Sequence, residues 1–363
     1  MGVCGPFTDV AADAFCPFVL EIFYLGITTG TTPTTYDPTS NVNRLQMAAF
    51  LSRSVDRTLQ RGSRRAALQQ FWTTQNDSVL GLTTVGMSPV LAQSDGLDVW
   101  VANFDGNSVS RVRGADGKLL ETWTGATSAY SVLVAMGRVF VPGKTSPGHL
   151  YRIDPSQTAG AVTTVASTLG DKPFGIAFDG SRVWTANNGA PGSVSIVTPG
   201  ATIPWTVTTV TTGFIAPDGI LYDGANIWAT DLSAHTLLKL DSAGAVLQTV
   251  TVGSAPAYPA FDGGSIWVPN AGSSSVSVVR ASSGVVLQTL TGNGLNSPRT
   301  AAFDGQRVLV TNLSGNSVSH WKAADLTSLG SFPTGASTSP YGACSDGIYF
   351  WITLSNTGQL ARF

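Results

Sequence analysis

The chain has few residues that could do acid–base or metal chemistry. Its 363 residues include three histidines, His149, His235 and His320, and two glutamates, Glu21 and Glu121. Catalysis needs titratable groups that converge on one pocket. The candidates are Asp218, Asp231, His235, Arg299 and Tyr341. The sequence carries no phosphate-cradling glycine loop, zinc-ligand spacing or Gly-x-Ser-x-Gly elbow. No cofactor and no metal is therefore expected, and no residue receives a catalytic role. Charged residues make up 12% of the chain, where about 25% is typical. The net charge of −2 gives no field that would draw nucleic acid.

Two further sets of residues carry potential chemistry. Cys4 and Cys16 lie close in sequence, and Cys344 is far away. The near pair is a candidate disulfide in an oxidising compartment, with two free thiols as the other reading. Arg53, Arg57, Arg61 and Arg65 follow at i, i+4 spacing, with Arg64 beside them, so on a helix they share one face. Such a stripe could meet an anionic polymer or an acidic partner surface; the other reading is a solvated linker helix. Gly62 and Ser63 weaken that helix.

The elements that must position these residues are set by a repeat. Copies read P-F-G-I-A-F-D-G-S-R-V-W-T-A-N (173–187), P-D-G-I-L-Y-D-G-A-N-I-W-A-T-D (217–231) and P-A-Y-P-A-F-D-G-G-S-I-W-V-P-N (256–270). Seven anchors, Asp95, Met136, Asp179, Asp223, Asp262, Asp304 and Asp346, follow one another at 39 to 44 residues. Units of about 40–50 residues with several short strands mark β-propeller blades. In the unit at Asp223, strand A spans 219–222, an Asp-Gly turn follows, and strands B, C and D span 226–230, 236–240 and 245–252. Strand B repeats a large residue: Trp100, Phe140, Trp184, Trp228, Trp267, Leu309 and Trp351. Its recurrence within strands assigns it to packing between blades rather than to a sugar platform.

Closure is also legible. The last unit has strands at 341–345, 348–353 and 359–362 and then ends. The missing D-like strand lies at 79–85, so an N-terminal strand completes the seventh blade and hides the open edges.

In a propeller, the D–A and B–C loops open around the channel on one face. The residue after the recurrent proline is Val90, Ser131, Phe174, Asp218, Ala257, Arg299 and Tyr341 in the seven units. Varied chemistry at a fixed position suits a functional rim on a constant scaffold; ordinary loop variation is the other reading. Ligand contacts are expected from Phe174, Asp218, Arg299 and Tyr341, with Asp231 and His235 on the adjoining B–C loop. The loop starters Asn103, Asn187, Asp231, Asn270 and Asn312 also have a structural reading, since Asn and Asp bond backbone in turns.

The frame P-x-G-I-x-x-D-G-x-x-[VI]-W resembles the repeats of YVTN/NHL-type propellers and is similar to that of the virginiamycin B lyase (streptogramin lyase) family. That family uses histidine and glutamate on one face with magnesium to open a cyclic ester. No matching His/Glu set is present here, so the resemblance implies fold rather than chemistry. Residues 7–54 differ: Phe7-Thr8-Asp9-Val10, an apolar helix, Gly26-Ile27-Thr28-Thr29-Gly30, a proline-bounded loop, then Asn43-Arg44-Leu45-Gln46-Met47-Ala48. This order resembles one S-layer homology module, a type that holds proteins to anionic cell-wall polymers. Asn41 or Asn43 is the expected cap of the second helix, with Leu45, Met47, Ala48 and Leu51 on its inner side. Arg44 stands at the family's conserved arginine.

The expected architecture is mainly β. Residues 1–55 form a small α-helical S-layer-like module, 56–76 an arginine-rich helical linker, and 77–363 a seven-bladed propeller of four-stranded blades. The expected role is an extracellular or cell-surface binding or assembly protein. Its partners would be an anionic wall polymer or a protein, with homo-oligomers through the module; nucleic acid is not expected. The alternative is a streptogramin-lyase-like or other enzyme acting at the channel mouth. No run of about 18 apolar residues exists to span a membrane as a helix. Residues 15–27 are apolar but lack a basic leader, so no signal peptide is visible in this numbering.

Overall fold

The computed structural model describes residues 4–10, 15–24, 27–62 and 81–363. The chain divides into two compact units, Met1–Gln75 and Asn76–Phe363.

The larger unit is a propeller of seven four-stranded antiparallel sheets. Blades 1 to 7 begin with A strands Pro89–Ser94, Leu133–Ala135, Pro173–Phe178, Pro217–Tyr222, Ala260–Phe261, Pro298–Phe303 and Pro340–Ser345. Blade 7 is closed as expected. Strand Gly81–Thr84 pairs antiparallel with Gln359–Arg362, Gly81 opposite Arg362 and Thr84 opposite Gln359. Val79 and Leu80 of the expected strand lie outside the described residues.

One device repeats at the A–B turns. Asp95, Asp179, Asp223, Asp262, Asp304 and Asp346 each accept at Oδ1 from the backbone N–H two and three residues on, which closes the Asp-Gly turn. In five of them Oδ2 accepts from the indole Nε1 of the strand-B tryptophan at 2.7–2.9 Å. The aspartate thus holds a ring that packs between blades. Trp228 of blade 4, for example, lies against Ile266, Val268 and Val279 of blade 5. Blade 6 departs from this. It has Leu309, so Asp304 takes the Arg307 guanidinium instead. Beside Leu309 in blade 6, His320 is packed against Phe332, Phe350 and Phe363 at ring distances of 5.1–5.5 Å.

The N-terminal unit holds helix α1 (Cys16–Tyr24) and helix α2 (Arg44–Gly62). Cys4, Phe7, Val10 and Val19 form its small core, with Cys4 bridged to Cys16. Asp9 accepts the backbone N–H of Tyr36 and Asp37, which pins the proline-bounded loop. Gly30 has φ +77°, and a Cβ there would come within 2.4 Å of the Phe7 ring.

Helix α2 starts with a reciprocal capping box. Gln46 N–H donates to Asn43 Oδ1, and Asn43 N–H donates to Gln46 Oε1, both at 2.9 Å. One expectation for α2 is corrected. Leu45, Met47, Ala48 and Leu51 are exposed, Leu45 by 83%, while Ala49 and Phe50 are half-buried. The helix runs unbroken from Arg44 to Gly62, with no glycine or proline to interrupt it earlier. Among the described residues no helix is long and apolar enough to cross a membrane.

Candidate functional site

The A strands bring their first residues to the channel mouth through a recurring irregularity. In blades 1, 4, 6 and 7 the pairing register shifts just after the leading proline, at Pro89, Pro217, Pro298 and Pro340, and in blade 3 after Pro173. Such bulges re-aim a side chain. The backbone is then fixed by neighbours. Thr230 donates to the Ala257 carbonyl at 2.8 Å, Thr311 to Tyr341 at 2.7 Å, Thr353 to Val90 at 2.6 Å, and Ser131 to Phe174 at 2.7 Å. Each of these bonds crosses between blades. Gly342 allows the approach at the last seam, where a Cβ would stand 2.2 Å from the Val90 carbonyl.

The result is one polar-aromatic cluster. Val90, Tyr130, Ala257 and Tyr258 are buried together, with Leu91, Phe104, Phe174 and Tyr341 packed on them. Tyr258 donates its hydroxyl to Asp218 Oδ1 at 2.9 Å. Arg299 Nη2 donates to the Tyr341 hydroxyl, which in turn lies 2.5 Å from the Tyr130 hydroxyl. The Arg299 guanidinium also stands over the rings of Tyr341 and Tyr258, at 4.8 and 5.8 Å. Lys144 places its ammonium 4.2 Å from the Phe174 ring centre, 4.9 Å from Tyr130 and 5.3 Å from Phe104.

Burial governs the charges here. It pushes the Asp218 carboxyl above its ordinary value, against the pull of Arg299, the Tyr258 hydroxyl and Lys144. It pushes the Tyr130 and Tyr258 phenols well up. Burial also lowers the Lys144 ammonium, helped by Lys172 and Arg299 and opposed by Asp218. Two buried polar atoms of the cluster have no hydrogen-bond partner: Asp218 Oδ2 and Arg299 Nε. The channel holds a cavity of about 320 Å³ lined by residues of the A strands, such as Gln93 and Cys344, and of the loops that lead into them, such as Ser131 and Tyr258. Burial raises the Cys344 thiol. A larger groove of about 710 Å³ lies beside the turns of blades 5 and 6, but its Asp262 and Arg307 are already engaged by Trp267 and Asp304.

Phe174, Asp218, Arg299 and Tyr341 are thus brought together. Asp231 and His235 are not part of the cluster. The fully buried Asp231 accepts from the backbone N–H of Ile215, Ala216 and Ala234, so it fastens the D–A loop. His235 is exposed, and its Nδ1 lies 3.0 Å from the Leu232 carbonyl and 3.1 Å from Ala255 N. The matching asparagines of other blades are structural too. Asn103, Asn187, Asn270 and Asn312 each donate through Nδ2 to two strand-C serines at 2.8–3.2 Å. Among the described residues no three His, Cys, Asp or Glu side chains gather as metal ligands would.

The proline rule missed Tyr130, Tyr258, Phe104 and Lys144. Blade 2 has Ala129 where others have proline, so Tyr130, not Ser131, is the equivalent of Phe174; Ala129 faces Gly143 as Pro256 faces Asn270. In blade 5 the rim residue is Ala257, and Tyr258 follows it. Phe104 and Lys144 each follow the last residue of a B strand, one place beyond the asparagines. Aligning the units on that residue would have found them.

In the module, Arg44 is exposed at the first turn of α2. Arg53 donates to the Ile27 carbonyl at 3.1 Å. The side chains of Arg57 and Arg61, and all of Arg65, lie outside the described residues.

The fold and site define a propeller with a convergent channel mouth, preceded by a disulfide-bridged helical module. Residues 6–48 match the S-layer homology domain. Among solved structures, the chain is similar to streptogramin B lyase at 14% identity and a TM-score of 0.65, over 78% of this chain and 97% of that one. It is similar at 16% identity and 0.65 to the hydrazine synthase of Kuenenia stuttgartiensis, over 80% of this chain and 98% of that one. The WD40 propeller domain of Doa1 follows at 12% and 0.64, over 79% and 97%. These likenesses show the fold, which serves unrelated activities. No curated protein matches the chain.

Proposed function

We propose that this is a cell-surface binding protein whose S-layer homology domain docks to an anionic wall polymer and whose propeller presents a ligand site at the channel mouth. The observation that carries the reading is the mouth itself. Residues from all seven blades meet in one cluster of tyrosines, phenylalanines and an arginine, the residue types that dominate binding energy at interfaces. The S-layer homology domain points to the cell surface, and the Cys4–Cys16 bridge fits an oxidising location. Arg44 supports polymer docking, because a cation at a helix N-terminus opposes the helix dipole and gains from a bound anion. Phe15, Phe18, Leu45 and Leu51 are exposed on the same module and supply apolar surface for contact with a second copy.

Sedimentation of the full chain with purified cell walls tests the docking. Binding should fall when the anionic polymer is stripped and when Arg44 is changed to Glu. Equal sedimentation with stripped walls would refute it. Light scattering of the same samples reads self-association, which Leu45→Asp should weaken.

A further inference from the structure

We infer that the channel mouth takes an acidic saccharide, a sugar bearing a carboxylate. The inference rests on the reading of the mouth as a ligand site and names the ligand's chemistry. Asp218 Oδ2 is fully buried and lacks a donor, and Arg299 Nε is buried and lacks an acceptor. Native interiors leave few such atoms unpaired, and an unpaired acceptor and an unpaired donor in one cluster call for partners. One partner must donate and the other must accept. A sugar hydroxyl donates to a carboxylate, and a sugar carboxylate accepts from a guanidinium, so one molecule supplies both.

The rest of the mouth narrows the choice. Lys144 and Arg299 bring two cations against the single carboxylate of Asp218, with Lys172 near Lys144. Lys144 is held by the faces of Phe104, Tyr130 and Phe174, and among the described residues it has no ion-pair partner. This surplus of positive charge favours an anion. A bare inorganic anion would leave Asp218 Oδ2 without a donor and would gain nothing from the ring faces. A neutral sugar would satisfy Asp218 and stack on the rings but leave the second cation uncompensated. A carboxylated sugar has an apolar C–H face for the rings, hydroxyls for Asp218 and a charge for Arg299 and Lys144.

Isothermal titration of the full chain with a galacturonate disaccharide, the neutral galactose disaccharide and sodium sulfate tests this. The uronate should bind at least tenfold more tightly than the neutral sugar, and added salt should weaken it. Asp218→Asn and Arg299→Lys should each lower uronate affinity at least tenfold, with thermal unfolding confirming that both variants fold. If sulfate binds as well as the uronate and Asp218→Asn changes nothing, the mouth is a simple anion site and the proposal is wrong. If both sugars bind equally and Phe174→Ala abolishes both, the mouth remains a ligand site but the acidic-sugar assignment falls. If no saccharide binds and a crystal structure shows only a water between Asp218 Oδ2 and Arg299 Nε, both readings fall.

Discussion

The aspartates of the A–B turns and the rim residues at the channel mouth occupy equally regular places in the repeat, and the chain treats them in opposite ways. At the turns, six blades use the same residue for the same two backbone bonds, and five add the same bond to tryptophan. At the mouth, Phe174, Asp218, Arg299 and Tyr341 share one register and have four different chemistries. The turn and tryptophan bonds of these aspartates all stay within one blade. The rim residues find their partners in other blades, as Tyr258 of blade 5 does with Asp218 of blade 4. A position that must stabilise each blade separately is held constant. A position whose partners lie across the ring is free to differ, because only the assembled set has to be complementary to something.

The largest effect should come from Trp228→Ala. It removes a fully buried indole and strands the Asp223 Oδ2, so unfolding should cost about 3–5 kcal/mol less. Chemical denaturation measures this, and binding at the mouth should be unchanged at temperatures where the variant is folded. A variant of native stability that had lost ligand binding would reverse the roles assigned to turn and mouth.

An intermediate effect is expected from acid. Burial works against the Asp179 carboxylate, but the Trp184 indole and the backbone of Arg182 and Ser181 outweigh it and lower the group from 3.8 to about 2. A carboxyl depressed in the folded state stabilises the fold above its unfolded value and loses that contribution as pH falls through the folded one. Stability should therefore decline as pH drops from about 4 towards about 2, and Asp179→Asn should be less stable at neutral pH and flatter across that window. Urea unfolding at stepped pH reads this. An identical slope in the variant would remove Asp179 from the account.

The smallest effect sharpens the boundary between scaffold and site. Asp231 stands where four other blades have asparagine, and Thr236 Oγ1 nearby lacks a partner. Asp231→Asn would place an amide donor where the strand-C hydroxyl can accept it, while losing one acceptor for the loop. The net change should stay within about 1 kcal/mol, with ligand binding at the mouth intact. A clear loss of binding in a stable variant would return Asp231 to the site.

These particulars show what was legible beforehand. The blades, the Asp-Gly turns, the packing role of Trp228 and the closing strand follow from local turn chemistry and periodicity, which act within a few residues. The Asp–Trp bond spans five positions and was hidden because each partner already had a sufficient explanation. At the mouth, Phe174, Asp218, Arg299 and Tyr341 were found by register alone. Tyr130 escaped because the register was counted from a proline that blade 2 lacks, and Tyr258 because it stands one place beyond the residue that follows Pro256. In α2 the apolar residues of the first turns invited an inward reading. Which face turns inward depends on what the helix packs against, and Leu45 and Leu51 stand exposed.

The pairing of Gly81–Thr84 with Gln359–Arg362 also sets a clock on synthesis. Thr84 leaves the ribosome about 275 residues before its partner Gln359. At roughly 5–20 residues per second, that is a wait of about 15–55 s. Through that interval the first propeller strand has no partner, and blade 1 has no blade 7 beside it. The ring cannot form progressively and gain full stability blade by blade; its last seam joins the first and the last strands of the propeller. A nascent chain that stalls before residue 359 would carry six blades and two open edges. Only a chain translated through Arg362 can hide its first propeller strand.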